Sequence, residues 1–474
     1  MKTFQDLMKT PETKRGEFCK EAVQVFRTTP EYKMAQEGEA YYHKHNITIE
    51  KYQKMLTTIS GKTVPDIFSS NYKLKTLFFR RLVTQQVQYV LGNGVNFNDK
   101  GNKEKLGKDF DFQLQTAAKK AMTSGRAFGF WNVDHLEVFG FADTDTSAGF
   151  CPLYNEETSQ LDAGIRYWFK PVGNKAIFRC TLYEADGYTE YIQKPDEDVE
   201  ELEPKRAYKQ IRSVLSDGTI EDEIDENYGS LPIIPLYAND SHESELIGIR
   251  ESIDCYDFIK SGLANDIDDT SGFFWILSNT GGMDDVDLAQ FIQRMKTVKA
   301  AVVDGNEGVD AQAHTLDVPT EARRLMLELL RKDIYEDFQA LDVNTLSAAA
   351  KTAQEIRASY QSQDNKCADF EYFLLDFVQQ VLVMAGIDDE PTFKWNRVVN
   401  ELEQTNMILM AGNYLTEETV IKHLPFLTPE EAEKIIKQKD SEAMSRAFDD
   451  EDEEETEEEP QNATQGEETE EEEE

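Results

Sequence analysis

Between residues 349 and 384 a stripe of apolar or small side chains, Ala349, Ala353, Ile356, Tyr360, Cys367, Phe370, Leu374, Phe377, Val381 and Met384, recurs in a three-four alternation interrupted only at Gln363. Such spacing places them on one face of a single long helix. A face that long demands an equally long apolar partner, which narrows the folds open to the chain. Two further amphipathic stretches precede it. In the first, Ile249, Ile253, Tyr256, Leu263 and Ile267 recur at helical spacing, with Asp254, Asp257, Lys260, Asn265 and Asp268 between them. The second opens at Pro319, whose missing N–H suits a first helical position, and continues through Leu327, Leu330, Ile334, Phe338 and Leu341.

Between these two helices, Gly272 to Asp317 offers two short β-rich runs, Phe273–Leu277 and Lys299–Asp304, around a polar amphipathic segment at Phe291, Ile292 and Met295. The chain runs out along one helix, builds a small module and returns along another. Helices extended in this way present apolar stripes that one copy does not bury alone, and symmetric self-association is the natural remedy. An ordinary α+β protein whose helices pack on themselves accounts for the same periodicity, because a helical stripe is most often core.

Charge narrows the function classes. The 474 residues hold 50 basic and 91 acidic side chains, a net of −41, and the last 26 residues contribute 17 acids and no base, leaving −24 on the rest. Affinity for a duplex comes largely from cations displacing counterions, so a broad grip on nucleic acid is excluded, though guiding it without holding it is not. The content of 39% hydrophobic and 11% aromatic residues suffices for real cores over about three domains. Five scattered cysteines without CxxC spacing read as reduced thiols. The opening residues lack the apolar core of a signal peptide and no run is long enough to span a bilayer, so cytoplasmic synthesis and no membrane association are expected.

Taken in order, residues 1–60 read as a polar, mainly helical surface segment. His43 and His45 are two apart on it and point to different sides, with no Cys or carboxylate evident to complete a metal set. Asn71 to Val90 is a predicted helix with Phe79, Val83, Val87 and Val90 on one face, closed by Gly92 and Gly94. That G-x-G follows a helix, not a strand, and lacks the GK[ST] of a phosphate loop. Phe110 to Met122 predicts another helix ending near Gly125. The aromatic-rich runs 127–133, 135–141, 164–169, 176–185 and 187–192 then read as an antiparallel β unit. Pro195 to Asp225 reads as a charged excursion or long hairpin, and Leu231 to Tyr237 as a proline-bracketed strand. Beyond Gly386, Phe393 to Leu424 reads as helix, break, helix, with Thr416 capping before Glu417 and Glu418, and Thr428 opens a last helix to about Phe448. The acid-rich remainder cannot bury a core and is expected to be disordered.

The order of these elements, with their motifs, resembles the portal proteins of tailed bacteriophages, of the kind found in siphophages of Gram-positive hosts. The similarity covers about residues 60–448. It is carried by NYKLKTLFFRRLVTQQVQYVLGNGV (Asn71 to Val95), CPLYNEETSQLDAGIRYWF (Cys151 to Phe169) and CTLYEADGYTEY (Cys180 to Tyr191). LPIIPLYAND with ELIGIRESIDCYDFIKSGLANDIDD (Leu231 to Asp269), and ALDVNTLS with the long helix after it, complete it.

The resemblance implies an α+β portal fold: a wing of helices and strands (61–240), a two-helix stem (246–270 and 319–341) and a small α/β clip (271–318). A tunnel loop (342–350), a long wing helix (351–392), a helical crown (393–448) and a disordered acidic tail (449–474) would follow. It further implies a dodecameric ring at one capsid vertex of the virion, a channel for double-stranded DNA, and docking of the terminase large subunit and then a head-completion adaptor. Major capsid and scaffolding proteins would be further partners; no cofactor, metal or catalysis is implied. Laid on this sequence, DNA-facing candidates are Asp342, Val343, Asn344, Thr345, Leu346, Ser347 and Lys351 at the tunnel loop, with Lys260, Arg323 and Arg324 on the stem. Motor and adaptor contacts fall on Asp284, Asp285, Asp287, Arg294 and Lys296 of the clip, and the seam between copies on Ile356, Tyr360, Phe370 and Leu374.

Two other classes compete. A metal-dependent hydrolase is suggested by the acid clusters Asp266–Asp269 and Met283–Asp287 with Asp304, yet no His, Lys or Ser arrangement accompanies them. An acidic cytoplasmic scaffold or assembly protein is suggested by the tail alone.

Overall fold

The computed structural model describes residues 1–57, 61–66, 69–142, 148–214, 220–270, 274–278, 310–314, 320–342, 353–396, 408–412, 414–424, 432–439 and 441. They fall in two compact units, Met1–Asn396 and Arg397–Glu474. Helices and antiparallel sheets are both prominent, as an α+β reading requires.

In the first unit the aromatic-rich runs form two sheets. Strands 200–206, 187–193, 175–184, 161–172 and 149–154 pair in that order into a five-stranded antiparallel sheet. A three-stranded sheet sets Arg126–Asn132 between Ile233–Tyr237 and His135–Gly140. Pro235 is tolerated there because its strand lies at the edge, where a missing N–H breaks no ladder. The charged stretch predicted as one excursion divides: Glu200–Arg206 joins the large sheet, and Lys209–Val214 pairs with Ile220–Glu226 in a separate hairpin.

Both sheets contribute to an aromatic core. Phe128 lies 4.4 Å from Phe150, ring to ring, and Phe130 lies 5.3 Å from Tyr183. The first residues complete it, which corrects their reading as a polar surface segment. Leu7 and, on one face of the helix Arg15–Phe26, Phe18, Cys19, Val23 and Phe26 are buried against the strands, and Phe26 meets Phe141 edge-on at 4.9 Å. Glu184, nearly buried, fastens the helix Arg15–Phe26 to the sheet by accepting from Arg15 at 3.1 Å and Lys205 at 2.9 Å.

A second core is helical. Phe78–Leu91, Phe110–Ser124 and the 33-residue helix Ala353–Ala385 bury Phe79, Val83, Val87, Leu114, Cys367, Phe370, Leu374, Phe377 and Val381 together. Close approach explains Gly38: a Cβ there would overlap the Thr123 carbonyl oxygen, so only glycine lets Pro30–Tyr42 lie against Phe110–Ser124. Gly125 ends the latter helix at φ 85°, the left-handed conformation that suits a residue without Cβ.

Arg250–Thr270 and Thr320–Asp337 are the out-and-back pair, tied by Arg323 to Asp266 at 2.5 Å. Of the small module between them, Phe274–Ser278 pairs antiparallel with Asp310–His314. The second β-rich run, Lys299–Asp304, lies outside the described residues, as does the amphipathic segment around Phe291.

The helix predicted from Asn71 begins only at Phe78. Residues 71–77 are instead bound along Arg250–Thr270 by its polar side chains. Thr76 N–H donates to Asp257 at 3.0 Å, Leu74 N–H to Ser261 at 3.0 Å and Tyr72 N–H to Asn265 at 2.6 Å. These three helix residues, four apart, are therefore buried, not solvated. Asn46 adds a fourth bond, Nδ2 to the Asp257 carboxylate at 2.9 Å. Burial raises the Asp257 pKa above its ordinary 3.8, with the bonds from Asn46 and Thr76 holding part of the rise back. A raised folded-state value means that this group's contribution is greatest below pH 3.8 and is lost as pH rises through the raised value. The difference in unfolding free energy between the parent and Asp257→Asn should accordingly shrink from acid toward neutral pH in denaturant titrations. A difference that grows with pH would show the carboxylate to be favoured by its site.

In the second unit Glu417–His423 is capped by Thr416, whose hydroxyl accepts from Thr419 N–H at 3.4 Å, the local signal anticipated from sequence.

Candidate functional site

Long helices with side chains left bare are where a self-assembling surface is sought. On Thr320–Asp337, Leu330 and Ile334 face inward, while Leu325, Met326 and Leu329 are 58%, 41% and 48% exposed. On Arg250–Thr270, Ile253 is buried, as is Ile249 just before it, while Phe258 and Ile267 are about half exposed. Five large apolar side chains on one helical pair are thus about half exposed within the copy, Phe258 with the Tyr52 ring edge-on to it at 5.1 Å. Exposed apolar groups of this density mark contact surfaces. The sequence reading followed the stripe through Leu327 and Leu330 and passed over Leu325 and Leu329, whose spacing of four was the available signal.

Of the seam expected at Ile356, Tyr360, Phe370 and Leu374, three side chains are covered within the single copy. Tyr360, Phe370 and Leu374 are 7%, 1% and 0% exposed, taken up by the chain's own helical core. Tyr360 stacks on Tyr89 with centroids 5.9 Å apart. The side chain of Ile356 lies outside the described residues. The outward face of that helix carries Tyr372 and Val383 instead, 70% and 73% exposed.

Three of the cations expected to face DNA have partners within the copy. Arg323 pairs with Asp266, Arg324 lies 3.0 Å from Glu321 and 3.8 Å from Glu328, and Lys260 lies over the Tyr256 ring at 5.9 Å. Asp342, at the root of the loop, accepts from Arg331 at 2.8 Å. Val343, Asn344, Thr345, Leu346, Ser347 and Lys351 lie outside the described residues, as do Asp284, Asp285, Asp287, Arg294 and Lys296.

The acids of the catalytic alternatives that are described have other partners. Asp266 is used by Arg323 and Asp268 by Ser70, and no group of three or more His, Cys, Asp and Glu able to hold a metal occurs among the described residues. Met283–Asp287 and Asp304 lie outside them. His43 and His45 face Glu39 and Glu50 respectively. Beside the G-x-G of Gly92 and Gly94 stands Asp111, whose carboxylate accepts from Val95 N–H at 3.2 Å and would repel a phosphate. Cys19, Cys151, Cys180 and Cys367 are buried free thiols, and burial pushes those of Cys151 and Cys180 well up. No helix among the described residues is long and apolar enough to cross a membrane.

Comparison with known proteins gives the arrangement its context. The chain is 23% identical over 440 residues to the portal protein of Clostridium phage phiCD119, covering 87% of this chain and 94% of that one. It is also 23% identical over 421 residues to the portal protein of Bacillus phage SPP1, covering 84% and 81%. Among solved structures, a chain in the neck of a native GTA particle computed with C12 symmetry matches 74% of this chain and 90% of its own, with a TM-score of 0.41 and 11% identity. The family model for phage portal proteins of the SPP1 Gp6-like kind matches residues 28–445. With nearly the whole folded chain inside that match, the protein belongs to the SPP1 Gp6-like family of phage portal proteins.

Proposed function

We propose that this portal protein closes into a ring of about twelve copies around a channel for double-stranded DNA, at one vertex of the phage head. The observation that carries the ring is the apolar surface of Leu325, Met326, Leu329, Phe258 and Ile267 on a helical pair that runs out and back. A rotationally repeated contact between one side of each pair and the other side of the next closes without leaving an apolar edge. Acidic balance suits the channel, because a wall with few free cations releases few counterions and lets a polyanion slide. The role is structural, not catalytic.

In this reading residues 271–318 form the clip that meets the terminase large subunit during packaging and an adaptor afterwards, through Asp284, Asp285, Asp287, Arg294 and Lys296. Residues 342–350 form the loop nearest the DNA. Native mass spectrometry with negative-stain imaging of the purified protein tests the proposal. A closed ring of about a dozen copies is expected, and a stable monomer or dimer at micromolar concentration overturns it.

A further inference from the structure

Residues 67–98 are the longest stretch of this chain free of Asp and Glu, 32 residues long, and they carry Lys73, Lys75, Arg80 and Arg81. In a chain of net charge −41 such a run is an anomaly of placement. The structure gathers part of it on one surface. A shallow groove of about 430 Å³ runs along the outer face of Phe78–Leu91 and is lined by Leu77, Arg80, Arg81, Thr84, Gln85 and Gln88. No carboxylate lines it. Arg80 and Arg81 are exposed, and neither pairs with an acid among the described residues. Their guanidiniums lie over the rings of Tyr42 at 5.5 Å and Phe78 at 4.9 Å, contacts that orient the planes and leave N–H groups available.

Resting on the proposed ring and channel, we infer that this groove is the surface on which the DNA phosphate backbone touches the protein. Guanidinium and hydroxyl donors without a competing acid are a set that binds phosphate oxygens without reading bases. The groove also adjoins the loop root, since Gln85 Nε2 donates to the Leu341 carbonyl at 2.9 Å. By contrast, Arg323 and Arg324 on the stem are each beside acids and have less positive potential to offer. Twelve-fold repetition would convert two weak contacts per copy into a circle of shallow ones, enough to hold a duplex in place and not enough to stop it.

The test uses the full-length ring and a short blunt duplex, with affinity measured by fluorescence anisotropy across a salt series. Each arginine that leaves a phosphate lowers the slope of log K against log salt by about 0.9. Arg80→Gln with Arg81→Gln should therefore flatten the slope and weaken binding at low salt by about tenfold or more, while Arg80→Lys with Arg81→Lys retains most of both. Native mass is measured on every variant. An unchanged slope and affinity in an intact glutamine-variant ring overturns the assignment. So does a glutamine variant that falls to folded monomers, because the arginines then serve an acidic face of the neighbouring copy. A parent protein that forms no ring defeats the proposed function itself, an outcome the mass measurement separates from the other two.

Discussion

Leu374→Asp should abolish the folded protein instead of releasing intact monomers. Leu374 is fully buried beside Phe370, Phe377 and Val381, in the core shared by the long helix and its neighbours within one copy. An aspartate there strands a charge away from water and removes the packing of a whole leucine, a loss of about 4 kcal/mol or more. That is a large part of the stability of an ordinary domain. Far-UV circular dichroism and a thermal melt of the soluble fraction check it. A well-folded monomer with the parent melting temperature would return this side chain to an interface between copies.

Leu325→Asp with Leu329→Asp should do the opposite, leaving the fold and dissolving the assembly. Both side chains are about half exposed or more in the single copy, so the copy itself loses little. Burying one leucine at a contact contributes about 1.5–3 kcal/mol, and two of them with charge set in their place weaken each contact by at least about a hundredfold. Sedimentation velocity should show a shift from the ring to a compact monomer with an unchanged circular dichroism spectrum. A ring that survives both changes would move the seam away from this helix.

The two substitutions divide what the sequence reveals from what it hides. The stripe from Tyr360 to Val381 was legible as a buried helical face because periodicity reports that side chains avoid water. It does not report whether the cover comes from the same chain, and here Tyr89 and the other helices of one copy supply it. Thr416 was legible because a cap is settled within four residues. Residues 71–77 were misread because NYKLKTL contains neither glycine nor proline to break a helix. Their backbone donors are claimed by Asp257, Ser261 and Asn265, far along the chain, an event with no local trace. The first helices were read as surface because their many charges diluted Leu7, Phe18, Val23 and Phe26, which nonetheless face the aromatic core. The acid-free groove was available as an absence in the sequence, but only the helix placed Arg80, Arg81 and Thr84 on one side.

The bonds to Asp257, Ser261 and Asn265 occupy consecutive turns, about 6 Å apart along the axis. Apolar contacts are non-directional and let one surface shear across another, whereas hydrogen bonds fail within a fraction of that distance. Arg250–Thr270 is therefore keyed to residues 71–77 like a rack, and a displacement along its axis must carry that segment with it. The segment enters Phe78–Leu91 without interruption. Thrust applied where the out-and-back helices meet their small module would travel as strain through three backbone bonds and arrive at the helix that bears Arg80 and Arg81.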